Sequence, residues 1–161
     1  MRKVSCLFAL ALLAAIAVAA TPSTAPVRVA ARVTGGGTGL FIDPSVTPTD
    51  MGLTTNFAVG LTVHSDGSAT GHFTCLIPGI VVIDGDYTAG SYDAGTGVAT
   101  ASGNALLVFP GGGFLVVTFT NTFKAGGPGV GEFTLTDDSG YFDVAPFLDT
   151  EVVLKGTIKI K

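Results

Sequence analysis

Beyond residue 26, no stretch of this chain keeps apolar residues at helical spacing for the ten or more residues a helix needs. Short runs rich in Val, Thr, Phe and Ile alternate instead with glycine-rich turns, the pattern of an antiparallel β protein. The 23 glycines fall mostly between these runs or where a strand can bend, so they punctuate the chain into strands.

The spacing predicts strands at 27–34, 55–64, 68–77, 80–87, 98–109, 114–123, 131–136, 141–144 and 152–160. A long loop, 35–54, separates the first two and carries Pro44 and Pro48. In the last run Val152, Leu154, Gly156, Ile158 and Ile160 alternate with Val153, Lys155, Thr157, Lys159 and Lys161, which reads as one dry face and one wet face. The turn Ser65-Asp66-Gly67 fixes the register of a hairpin. It sets Phe57 opposite Cys75, Val59 opposite Phe73, Leu61 opposite Gly71 and Val63 opposite Ala69. Ala58 with Thr74, Gly60 with His72, and Thr62 with Thr70 form the other face. A second hairpin turns at Pro110-Gly111-Gly112-Gly113, after which Leu115, Val117, Phe119 and Phe123 share a face with Asn121 among them. Eight to nine sequential strands with short connections make a meander, expected to close into a small β-barrel that leaves no free edge; a two-layer β-sandwich is the alternative. An outer-membrane barrel needs aromatic girdles, and this chain has no Trp and 3 Tyr.

The amino-terminal end has the three parts of a secretory signal over residues 1–20. Arg2 and Lys3 supply the charge, an uncharged apolar core follows, and Ala17-Val18-Ala19 offers small residues for cleavage. A Pro/Thr-rich leader at 21–26 precedes a single all-β domain at 27–161. Loss of Arg2 and Lys3 takes the formal net charge from −4 to −6. Such a balance argues against nucleic acid and against an anionic membrane surface as partners. Cys6 leaves with the signal, so Cys75 has no disulfide partner within the chain, although the expected secreted or extracytoplasmic setting permits disulfides.

Several segments share a motif order with a known group. Gly35-Gly36-Gly37, Asn56-Phe57-Ala58-Val59, Gly71-His72-Phe73, Pro128-Gly129-Val130-Gly131-Glu132-Phe133 and Gly156-Thr157-Ile158-Lys159-Ile160 follow one another from near residue 33 to the end. In this the chain resembles the small secreted bacterial β-domains of the post-COAP type. Glu132 stands where that group has Asp, and Cys75 stands near a usual aromatic. The resemblance implies export and an all-β fold, and it brings no catalytic residues with it.

Candidate sites are few. His64 and His72 share a face, but the register puts them about 13 Å apart, too far for one zinc ion. Asp84 and Asp86 point the same way roughly 7 Å apart, near the separation of paired glycosidase carboxylates; the bland alternative is a solvated strand face. Their weight depends on whether that face lines a barrel interior. Asp137, Asp138 and Asp143 flank a turn glycine, Gly140, and form a weak calcium candidate; otherwise no cofactor is expected. Cys75 opposite Phe57 reads as a buried, inert thiol. Gly35 to Gly39 is glycine-rich without the Lys and helix of a phosphate loop, so it reads as a strand bend or bulge. Two functions follow from this inventory. One is a non-catalytic extracellular binding or structural domain; the other is a small barrel enzyme or carrier for an apolar small molecule held inside.

Overall fold

A computed structural model describes residues 26–41, 53–142 and 150–161. The expected signal segment, the expected leader up to Ala25, and Asp143 lie outside the described residues. Eight strands follow one another: β1 (Val29–Phe41), β2 (Thr54–His64), β3 (Ala69–Ile77), β4 (Val81–Asp93), β5 (Val98–Val108), β6 (Phe114–Lys124), β7 (Glu132–Asp137) and β8 (Glu151–Ile160). Each pairs antiparallel with the next, and β8 pairs back on β1, which closes the sheet into a barrel. The sandwich alternative is thereby set aside.

The β2–β3 register is the one the hairpin turn dictates, from Asn56 opposite Leu76 to Val63 opposite Ala69. Three hairpin ends are tied by the same device. Asp66 accepts from the backbone and hydroxyl of Ser68, Asp93 from Gly95 and Thr96, and Asp137 from Ser139. In each, the carboxylate bonds backbone two residues on, which mimics a turn.

Inward positions alternate along β2 and β5 and along most of the other strands. Phe57, Phe73, Phe119, Phe123 and Phe133 are all buried, and the Phe73 ring lies 6.0–6.3 Å from those of Phe119, Phe123 and Phe133. Tyr87 packs against Phe119 at 5.2 Å and donates its hydroxyl to the buried Asn121 at 2.7 Å. Asn121 in turn donates to the Thr134 carbonyl, so its place in an aromatic row is satisfied.

Four expectations need correction. The stretch 35–41 is strand, not loop: β1 runs through the glycines to Phe41, paired on both sides. Their small size lets neighbouring backbone come close, whereas the composition reads as a break. Tyr141 and Phe142 form a turn rather than a ninth strand. Leu115 is partly open rather than core. The two faces of β8 also exchange midway. Thr38 pairs with Lys155 but Gly39 with Val153, so Leu154 is an extra residue in a β-bulge. Ile158 stays inside, but beyond the bulge Val153 is 0% exposed and Leu154 is 42% exposed. Gly156, at φ +98°, allows the local twist, and a Cβ there would collide with the Gly36 carbonyl.

Candidate functional site

The bulge at Leu154 has a chemical consequence one turn of the alternation away. Plain alternation would put Glu151 on the wet face with Lys155 and Lys159. The extra residue turns it inward instead, and Glu151 is 1% exposed. It pairs with Phe41 on β1 and Phe133 on β7, both buried. Thr55, fully buried on β2, donates its hydroxyl to Glu151 Oε2. Gly39, opposite Thr55, makes this contact possible: a Cβ there would run into the carboxyl and sit 2.8 Å from Thr55 Oγ1. Glu151 Oε1 is buried without a hydrogen-bond partner.

Burial dominates the electrostatics. It pushes the Glu151 carboxyl up to about 8, with the Thr55 hydroxyl pulling the other way, so the group holds its proton at neutral pH. Burial also raises the Cys75 thiol, with a further push from Glu151, although Thr55 favours the thiolate. Cys75 is thus the buried, unreactive sulfur expected from its pairing with Phe57. A neutral acid, a hydroxyl and a thiol together form one polar spot of a largely apolar interior, and Tyr87 with Asn121 forms another. Sequence reasoning missed Glu151 because it assumed unbroken alternation. Gly156 inside a strand was the available signal, since such a glycine often marks a bulge.

The other candidates are on the outside. His72 is clasped between two acids, Nε2 to Asp84 at 2.9 Å and Nδ1 to Asp86 at 2.9 Å. Two acceptors on the two ring nitrogens are both satisfied only when each nitrogen carries a proton. The cluster stitches β3 to β4 across an open face, where such ion pairs are worth about 0–1 kcal/mol. Asp84 and Asp86 therefore do not line the interior. His64, at the end of β2, takes no part in this clasp.

Partial burial works to raise the Asp137 carboxyl. The Ser139 hydroxyl and the N–H groups of Phe142 and Ser139 outweigh it and hold the group below its ordinary value. Asp138 is turned elsewhere, accepting from the Thr118 N–H at 2.9 Å. The two described members of the calcium candidate thus serve different backbone donors. Among the described residues no group of three or more His, Cys, Asp or Glu is placed to hold a metal ion.

Fold and site together define a closed eight-stranded antiparallel barrel with an aromatic filling and, among the described residues, one buried acid. No protein-family model matches the chain, and no curated protein or solved structure is significantly similar to it.

Proposed function

We propose that this protein is an exported, non-catalytic β-barrel that works through its outer surface as a binding or structural module. One observation carries the reading: the Phe73 ring lies within ring-contact distance of Phe119, Phe123 and Phe133, on strands across the barrel, so side chains occupy the space a ligand would need. The dispersal of the paired acids onto an open outer face supports it further. So does the apolar, aromatic interior, where a water-filled membrane barrel is polar. Export rests on the signal pattern of residues 1–20 and on the resemblance to secreted β-domains of the post-COAP type.

Mass spectrometry of protein recovered from its natural host tests the reading. The expected result is an extracytoplasmic chain starting after Ala19 or Ala20, from which denaturing spray releases no small molecule. A small molecule released only on denaturation overturns it.

A second reading has one observation in its favour. Glu151, a proton-holding acid with a free Oε1 beside Thr55, is the kind of group a carrier or barrel enzyme uses to grip or protonate a bound molecule. On that reading the released molecule carries a hydrogen-bond acceptor for the proton on Oε1. Calcium at Asp137, Asp138 and Asp143 is a subsidiary proposal, ended by an unchanged melting temperature at millimolar calcium.

A further inference from the structure

The basic residues of this acidic chain are gathered on one side of the barrel. Past residue 26 there are six Lys and Arg, and five of them, Arg28, Arg32, Lys155, Lys159 and Lys161, lie on β1, on β8 or directly beside one of these strands. The sixth, Lys124 on β6, is paired with Glu132 at 3.1 Å. All five are exposed, and none of them has a carboxylate at ion-pair distance among the described residues. The outward positions of β8, β1, β2 and β3 carry no Asp or Glu, since the acid on these strands, Glu151, is turned inside.

The register makes a strip of them. On the outer side of β8, Lys155, Thr157, Lys159 and Lys161 follow at every second residue, a run of about 20 Å. Arg32 and Lys161 exchange both backbone hydrogen bonds, at 2.9 and 3.0 Å, which sets their side chains directly opposite each other on one face. Lys159, paired with Thr34, is the diagonal neighbour of Arg32. Like charges so placed repel, and an anion shared among them turns the repulsion into attraction. Beside the strip the wall is small and hydroxylated, with Thr34, Gly36 and Thr38 on β1 and then Ala58 and Gly60 on β2.

We infer that the β8–β1–β2 face binds an anionic polysaccharide, the sulfate or uronate groups of one polymer chain lying along β8. A partner of this kind rests on the reading that the barrel is exported and works through its outside. The acids of the barrel do not cancel the strip. Asp84 and Asp86 stand on β4, across the ring, and are held by His72, and exposed charges farther apart than about 8 Å are largely screened at physiological salt. Thr34, Thr38 and Asn56 add hydroxyl and amide groups that suit the hydroxyls of a sugar. A nucleic acid fits less well: the aromatics of these three strands, Phe41 and Phe57, are buried, so no ring is offered for a base to stack on. A bilayer needs an inserted apolar face, and along β8 only Leu154 is an exposed large apolar side chain.

Isothermal titration of protein expressed from the full sequence decides the matter, with dextran sulfate and polygalacturonate as probes and uncharged dextran as control. The expected result is binding of at least one anionic polymer at about 0.15 M salt, weakening steeply as salt is raised, and no binding of dextran. Which polymer binds tells sulfate from uronate. Arg32→Gln together with Lys159→Gln should weaken binding on the order of tenfold, while Lys124→Gln on β6 leaves it unchanged. These side chains are exposed, so the β-sheet circular dichroism should be retained; Lys155→Gln with Lys161→Gln replaces the pair if it is not. No binding of either polymer, equal weakening by Lys124→Gln, or tighter binding of a DNA duplex or of phosphatidylglycerol vesicles overturns the inference. Each of these outcomes leaves the outward-working barrel standing, whereas a small molecule released on denaturation sinks that reading itself.

Discussion

Thr55 donates its hydroxyl to Glu151 inside the barrel across 96 residues of sequence, and Glu151 Oε1 has no partner of its own. The pair exists because β8 carries one residue too many at Leu154, which reverses the strand's faces and sends an acid inward. Gly39 leaves the room it fills. A carboxyl in this position is tolerable only as the neutral acid, and that ties the stability of the barrel to pH.

The sign follows from the proton. The folded barrel keeps it up to about pH 8, while an unfolded chain releases it near the ordinary 4.5. Unfolding therefore releases a proton across that window, and stability falls as pH rises through it, by at most ~1.4 kcal/mol per pH unit and a few kcal/mol in all. Urea unfolding from pH 4.5 to 8 should show the decline. Glu151→Gln should flatten it and be the more stable form at pH 8; a wild-type curve as flat as the variant's would contradict this.

Gly39→Ala should destabilise by roughly 1–3 kcal/mol, because the new Cβ enters the space of the Glu151 carboxyl and Thr55 hydroxyl. Glu151→Ala in the same chain should recover part of that loss. Denaturant melts of the two single variants and the double variant measure the coupling. Additive effects would place the strain elsewhere.

Most of the fold was legible because it is written locally. Ser65-Asp66-Gly67 fixes one register, and every cross-strand pair it implies between Phe57 and Cys75 at one end and Val63 and Ala69 at the other is present. The alternation of Val117, Phe119, Asn121 and Phe123 gave the inward face of β6. Illegible features depend on distant backbone. The glycines at 35 to 37 read as a break, yet they allow β1 to lie close between β2 and β8. The inward turn of Glu151 needs the pairing of β8 with β1, of which Gly156 is the one local hint in β8. The Asp84 and Asp86 pair was visible, but which side of the wall it faced was not.

Cys75 should resist thiol reagents in the native state and react fully once the chain unfolds. Burial and the nearby Glu151 both disfavour its thiolate. Labelling with a chromogenic disulfide, with and without denaturant, measures this. Rapid native labelling would mean the interior opens far more readily than its packing implies.

The central claim is that aromatic rings, and not a cavity, occupy the barrel interior. Nuclear Overhauser spectroscopy on Phe-labelled protein tests it most directly, with and without an added long-chain fatty acid as probe. The expected result is a set of contacts from the Phe73 ring to the rings of Phe119, Phe123 and Phe133 that does not change with the probe. Loss of those contacts, or new contacts between these rings and the fatty acid, would contradict the claim and make the barrel a carrier.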